Sequence, residues 1–375
     1  MSLGTVAVIF GGPSPEHEIS ILTGLQAERV LADGGYQVVP IYFSPSGVWH
    51  QVPQNTEAKD YLEGPPPGAQ ALEVKIGESA GFWVKKGLGH KKLGLEAALL
   101  CFHGGAGEGG GAAFVMELLD IPHTGSTLYA GAVGMDKLAF GAMMAGAGIP
   151  TLPRTHLSDM HPPAFPGPYI VKPRFGGSSI GIEVVENLDT AKALMSSVHL
   201  KNGAVVEPYR PELVDLNIAF RTYPQLQFTP LERPLRDTAS ATGLYSYQEK
   251  YLQGSGGGLT HAPREFPANV PQELSKRAEE LVRQVADVTR LTGVVRVDLL
   301  WDEATGDLFV NEVNTIPGAL SLYLWTQTTT AFHVLHDALT EAVKHRVVWP
   351  QAGFSQGVAL RSAGGIAQKL TGMSG

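Results

Sequence analysis

The stretch Val294-Val-Arg-Val-Asp-Leu-Leu-Trp-Asp-Glu-Ala-Thr-Gly-Asp-Leu-Phe-Val-Asn-Glu-Val-Asn-Thr-Ile-Pro-Gly318 holds the side chains whose types and spacing could do chemistry. Two alternating apolar and polar runs flank Asp302-Glu-Ala-Thr-Gly-Asp307, which reads as the turn of a β-hairpin. Residues two apart in a strand share a face, so Arg296 lies with Asp298, and Glu312 with Asn314. Where those faces coincide, two carboxylates, an amide oxygen and a guanidinium meet. Hard oxygen donors with open positions suit Mg²⁺ carrying a nucleotide phosphate. The same spacing also suits a solvated hairpin face. Arg296 and Asn314 inside strand runs, with Pro317-Gly318 directly after, favour the site.

A second group is Tyr169-Ile-Val-Lys-Pro-Arg-Phe-Gly-Gly-Ser-Ser-Ile-Gly181. A strand delivers Lys172, and a glycine-serine loop follows. Gly177-Ser-Ser-Ile-Gly181 matches the G-x-S-x-G elbow of serine hydrolases, centred on Ser179, but that elbow opens a helix. Here Ile182-Glu-Val-Val185 is β-like, which fits a phosphate-covering flap better. Amides and hydroxyls at Ser178 and Ser179 would hold phosphate oxygens, with Lys172 as a point charge. The strand Ala204–Glu207 and the linker Pro208-Tyr-Arg-Pro211 beside the flap offer an adenine slot. Glu16 opens the first helix, either complementing the helix dipole or binding an amine at the mouth of a cleft. Lys137 lies in the first turn of another helix, where a cation is unfavourable unless an anion is near.

These residues need elements to position them. Thr5–Phe10, the turn Gly11–His17, a helix over Ile19–Leu31 and a strand over Tyr36–Phe43 make a βαβ opening without a G-x-G-x-x-G. Residues 50 to 95 read as a loop and hairpin excursion. Leu95–Phe102 is a buried strand running into the glycine loop His103–Gly111. Helices are expected over Ala112–Leu119, Asp136–Ala147, Phe332–Val343 and Pro271–Thr292, the last with Pro271 at its first position and Gly293 as its stop. Thr238–His261 is long, polar and glycine-rich, the composition of a lid hinged near Gly254. His333 and His336 lack a complete metal set and are expected as ordinary surface or core side chains.

At 375 residues two or three domains are expected, and 43% apolar content supports sizeable cores. A net charge of −8 argues against a nucleic-acid partner. The one cysteine, Cys101, excludes an intramolecular disulfide framework and reads as a buried core thiol. No apolar run reaches the length of a membrane span, and the amino terminus looks like a first strand, so the expected location is the cytoplasm.

Taken in order, Gly11-Gly-Pro-Ser-Pro-Glu-His-Glu-Ile-Ser20, His103-Gly104, Ile121-Pro-His-Thr-Gly125, Met135-Asp-Lys137, Val171-Lys-Pro173, Gly177-Ser-Ser179, Tyr247-Gln-Glu-Lys-Tyr251, Arg296-Val-Asp298 and Asn311-Glu-Val-Asn-Thr-Ile-Pro-Gly318 resemble the D-alanine–D-alanine ligases of the ATP-grasp superfamily over most of residues 4 to 325. The resemblance implies an α/β (α+β ATP-grasp) architecture: an N-terminal parallel-sheet βαβ domain (1–125), a central subdomain with the flap (126–206), and a C-terminal subdomain with lid and metal hairpin (207–350). A tail of disordered-like composition follows (351–375). It implies ATP-driven ligation of two D-alanines through an acyl phosphate, for peptidoglycan precursors, in a cytoplasmic homodimer. Glu16, Ser178 and Tyr251 would form a network on the first substrate, and Arg296 would stabilise the oxyanion. His103, Ser321 and Leu322 would hold the second substrate. Lys137, Lys172, Ser178, Ser179, Glu207, Pro208, Tyr209, Arg210, Asp215 and Lys250 would surround ATP. Asp298, Glu312 and Asn314 would hold two Mg²⁺ ions, with Mn²⁺ able to substitute. The chain departs from the family pattern in Gly107-Glu-Gly-Gly-Gly111, in Asp215 where Glu is usual, and in Ala319-Leu-Ser-Leu322, about two residues short. A ligase for other amino acids, or a nucleotide-binding paralogue without ligase activity, would carry much of the same pattern.

Overall fold

Strand β1 (Thr5–Gly11) is apolar and buried from Val6 onward, as a strand covered on both faces must be. It leads into α1 (His17–Asp33) and returns as β2 (Gln37–Phe43), which pairs with it in parallel. The excursion expected over residues 50 to 95 is ordered sheet. Strands β3 (Trp49–Gln51), β4 (Gln70–Lys75), β5 (Gly81–Lys86) and β6 (Gly89–Lys92) form an antiparallel meander on the β2 edge. Strand β7 (Ala97–Leu100) flanks β1 on the other side, giving the order β6-β5-β4-β3-β2-β1-β7. The computed structural model describes residues 4–158, 160, 162–235, 263–347 and 357–362. The expected lid with Lys250, Tyr251 and Gly254, and nearly all of the tail, lie outside the described residues.

After β7 the expected glycine loop winds up instead. Gly107–Gly111 make a π-helical turn that continues into α2 (Ala112–Leu118). Helix α3 (Leu128–Met135) hands over to α4 (Lys137–Gly146) through Asp136, whose side chain caps α4 by accepting from the amides of Leu138 and Ala139. A second sheet has the order β10-β9-β11-β8, from β8 (Thr155–His156), β9 (Tyr169–Pro173), β10 (Glu183–Val185) and β11 (Ala204–Pro208), with α5 (Leu188–Ala193) against it. The third sheet, β13-β12-β16-β17, joins β12 (Val214–Arg221) and β13 (Gln227–Phe228) to the hairpin β16 (Val294–Trp301) and β17 (Leu308–Asn314). A two-stranded ladder of β14 (Arg233–Pro234) and β15 (Arg264–Glu265) stands beside it.

Helix α6 (Gln272–Thr289) buries Leu274, Ala278, Leu281, Val282 and Val285 along one face. Two details differ from expectation. Pro271 precedes the first turn with extended ψ of 137°, and the helix ends at Arg290 in the left-handed conformation rather than at Gly293. Helix α7 (Ala331–Lys344) packs on the first sheet. On it, His336 bonds the Tyr36 hydroxyl at 2.8 Å and His333 the Thr330 hydroxyl at 2.9 Å. Three apolar clusters form the core. The first, around β1 and β7, also takes in Leu320, Leu322, Leu324 and Trp325 and three residues of α7, so chain from beyond residue 300 completes the N-terminal core. Cys101 is fully buried there, and burial pushes its thiol up, out of the reactive range.

Candidate active site

The hairpin faces coincide. Arg296 pairs with Asn314 and Asp298 with Glu312 across β16 and β17. A bulge follows Asp298, because Leu299 pairs with Val310 and leaves Asn311 extra. The bulge lets Asn311 and Glu312, adjacent in sequence, both line one cleft with Asp298 and Asn314. Strict alternation would have sent Asn311 to the opposite face, so its place was not legible from spacing. Its Oδ1 lies 3.4 Å from Lys172 Nζ.

The charges in this floor are mutually paired. Arg296 donates from Nε and Nη2 to the two Asp298 oxygens, at 2.6 and 3.0 Å, and Asn314 Nδ2 reaches Asp298 at 3.1 Å. Burial opposes the charge on Arg296, but Asp298 beside it outweighs that and holds its pKa well above the ordinary value. Lys137, buried at the start of α4, sits 3.1 Å from Glu312 and also donates to the Gly176 carbonyl. The anion suggested by its position is thus a carboxylate of the hairpin. Among the described residues no three His, Cys, Asp or Glu gather as metal ligands. The candidate set is two carboxylates and one amide oxygen, hard donors that fit Mg²⁺ completed by phosphate oxygens.

On the neighbouring wall, β9 presents Ile170 and Lys172 to the cleft. Lys172 Nζ donates to Glu207 Oε2 at 2.8 Å, and Arg154 Nε meets the other Glu207 oxygen at 2.8 Å. Burial raises the Glu207 pKa, yet Arg154 and then Lys172 overcome it and hold the carboxyl below its ordinary value. The Glu207 carboxylate thus anchors two cations, while its residue and the linker after it line the cleft. Arg154 was not singled out from the sequence; no local pattern joins it to a residue 53 positions on. Pro208, Tyr209, Arg210 and Asp215 line the same cleft, with Arg210 Nη2 3.0 Å from Asp302.

Glu16 caps the amino end of α1 without a side-chain bond to that helix. Its carboxylate instead accepts from Ser178 Oγ across the cleft, which favours the site over the dipole reading. Two glycines make this approach possible. A Cβ on Gly104 would lie 2.3 Å from Glu16 Oε2, and one on Gly177 2.9 Å from it. Ser178 and Ser179 both adopt left-handed φ, 51° and 59°, which curls the flap over the cleft.

His103 is buried between Thr23 Oγ1, 2.8 Å from Nε2, and the Ile316 carbonyl, 2.8 Å from Nδ1. A carbonyl only accepts, so Nδ1 carries the proton and Nε2 accepts from Thr23. Burial lowers its pKa to about 4, against the Ile316 bond and with Arg296 adding repulsion. Glu108, unassigned from the sequence, also lines the cleft. It accepts from the Gly104 amide at 2.8 Å and the Ile316 amide at 3.4 Å. Burial, and then Glu16, push its carboxyl up to about 7.

Ser321 and Leu322 are not brought to the cleft. Both are buried in the turn Gly318–Trp325, Leu322 in the first apolar cluster and Ser321 with an Oγ that has no hydrogen-bond partner among the described residues. Gly318 and Tyr323 are the parts of that turn that face the cleft.

The D-ala D-ala ligase N-terminus family matches residues 5–126 and the D-ala D-ala ligase C-terminus family residues 157–341. The D-alanine–D-alanine ligase of Thermosipho melanesiensis is 28% identical over 348 residues, 88% of this chain and 91% of that protein. The structure of the D-alanine–D-alanine ligase from Coxiella burnetii superposes with a TM-score of 0.74 at 20% identity, over 92% of this chain and 94% of that one. The VanG D-Ala:D-Ser ligase of Enterococcus faecalis gives 0.73 at 22%, over 90% and 99%. The fold is the ATP-grasp α/β architecture these two share. The chain belongs to the D-alanine–D-alanine ligase family.

Proposed function

We propose that this cleft joins two D-alanines into D-alanyl-D-alanine with cleavage of ATP, as a carboxylate–amine ligase supplying peptidoglycan precursors. Support comes from one observation above all. A single cleft carries the Glu16–Ser178 contact together with Lys172 and the Asp298–Glu312–Asn314 patch, and Lys137 lies 3.1 Å from Glu312 of that patch.

In this reading Glu16 and Ser178 hold the ammonium of the first D-alanine. One oxygen of its carboxylate attacks the γ-phosphorus of ATP, the bond to ADP breaks, and an acyl phosphate forms. Lys137 and Lys172 exchange their carboxylate partners for phosphate oxygens, while the Ser178–Ser179 flap covers them. Asp298, Glu312 and Asn314 would hold Mg²⁺, which supplies neutralisation of phosphate charge. The amine of the second D-alanine then attacks the acyl carbon. Arg296 faces the oxyanion that develops, and phosphate leaves. His103, neutral at pH 7, ties the chain after the hairpin to α1. The three-domain division drawn from the sequence, a homodimer and a cytoplasmic location belong to the same proposal. No described helix is long and apolar enough to cross a membrane.

The test is an assay of the full chain with ATP, Mg²⁺ and a panel of D- and L-amino acids, D-serine included, reading phosphate and dipeptide together. Phosphate release that requires D-alanine, with dipeptide formed, supports the reading. Product only from other amino acids refutes the D-alanine assignment, and nucleotide binding without any turnover refutes ligation.

A further inference from the structure

The resemblance implies that Ser321 and Leu322, in the turn after Pro317-Gly318, would hold the second substrate, but the structure does not bring them to the cleft. In this chain the turn is short, and Ala319, Leu320 and Ser321 all take left-handed φ, 49°, 50° and 49°. Left-handed L-residues in series are rare because Cβ crowds the following carbonyl. The path is fastened from outside: the Ala319 amide donates to Thr23 Oγ1 at 3.2 Å, and that hydroxyl in turn donates to His103. It turns Leu320, Ser321 and Leu322 inward, so the Ser321 hydroxyl is withdrawn from the cleft.

What stands in the cleft instead is Tyr323 with a guanidinium over it. Arg264, at the start of β15, has its central carbon 4.2 Å from the Tyr323 ring centroid. Glu232, buried at the junction of β12 and β14, holds both. One oxygen accepts from Arg264 Nη1 at 3.0 Å; the other accepts from the Tyr323 hydroxyl at 3.3 Å and from Asn217 Nδ2 at 3.0 Å. Arg264, Glu232, Tyr323 and Gly318 all line the cleft that contains Arg296. A ring stack and a fixed carboxylate leave the guanidinium plane little freedom. A planar guanidinium carries five donors and can serve two carboxylates at once, with the fork geometry that suits a carboxylate ligand.

We propose that Arg264, seated on Tyr323 and positioned by Glu232, takes over from Ser321 as the group that binds the α-carboxylate of the acceptor amino acid. The acceptor class is then a small α-amino acid with a free carboxylate. This rests on the ligase reading of the cleft and adds to it the residue that selects the second substrate.

The test uses D-alaninamide, which can accept but cannot donate because it has no carboxylate. The full chain is given ATP, Mg²⁺, D-alanine and D-alaninamide together, and the ratio of dipeptide to dipeptide amide is read for wild type, Arg264→Gln, Arg264→Lys and Ser321→Ala. The ratio reports only folded, active enzyme, so partial misfolding does not blur it. Wild type is expected to favour D-alanine, and Arg264→Gln to lower that preference on the order of 10- to 100-fold with the KM for ATP unchanged. Arg264→Lys should restore part of it, and Ser321→Ala should leave it as in wild type. A wild-type ratio in Arg264→Gln, or a collapsed ratio in Ser321→Ala, overturns the proposal alone. Absence of any dipeptide from wild type overturns the ligase reading and the proposal with it.

Discussion

The wall around Lys172 and the wall around Tyr323 face one cleft but are held in opposite ways. The first is strand-borne. Lys172, Glu207 and Arg154 form a buried triad of ion pairs, and the hairpin beside it pairs Arg296 with Asp298 and Lys137 with Glu312. The second is a turn. It carries three left-handed residues, a buried hydroxyl without a partner among the described residues, and side-chain ties to helix α1 and to Glu232. Chemistry on phosphate needs fixed charge, and regular strands supply it. In the proposal above, selection of an acceptor depends on the path of this turn, which three left-handed residues set.

The comparison can be broken at several points. The largest effect is expected on the phosphate side: Glu312→Gln keeps the shape but removes the charge, and turnover should fall about 10³-fold. Steady-state phosphate release measures this, and ordinary activity would refute the metal patch. Next is stability. Glu207→Ala strands Lys172 and Arg154 in a buried site and should destabilise by about 3–5 kcal/mol, read from the denaturant midpoint. Ser321→Ala, which removes a hydroxyl that makes no bond among the described residues, should cost nothing and stabilise by up to about 1 kcal/mol. Equal losses in the two variants would erase the contrast.

A subtler test uses pH. His103 has its pKa lowered from 6.5 to about 4, so between those values the unfolded chain binds the extra proton, and stability falls as pH drops through the window. Glu108 has its pKa raised from 4.5 to about 7, so there the folded chain binds the extra proton, and stability falls as pH rises. From pH 4.5 to 6.5 the two slopes oppose each other. Glu108→Gln removes one of them, so its Tm should climb with pH across that window more steeply than that of wild type. Parallel profiles would show that Glu108 is not buried as described. A small effect is also expected at Ala319. Glycine tolerates φ near +50°, so Ala319→Gly should raise stability by about 0.5–1 kcal/mol, against a loss of similar size if the turn were right-handed.

How much of this was legible follows the same division. Period-two spacing alone placed Arg296, Asp298, Glu312 and Asn314 on shared faces, and the register of the hairpin agrees. Helix α6 was plain from its apolar face, though Arg290 ends it three residues before the expected stop. Asn311 was not legible, because a bulge breaks the period on which the reading depended. Arg154 and Arg264 were not, because each meets a partner more than 30 residues away through tertiary packing. Ser321 was misplaced because motif matching carries a residue's type but not the backbone path that aims it.

The account stands most directly on an acyl phosphate formed from the donor's carboxylate. D-alanine labelled with ¹⁸O in both carboxylate oxygens, incubated with the full chain, ATP and Mg²⁺, gives the decisive mass spectrum. The expected result is phosphate carrying one labelled oxygen, in a one-to-one ratio with dipeptide. Unlabelled phosphate, with or without dipeptide, would contradict it.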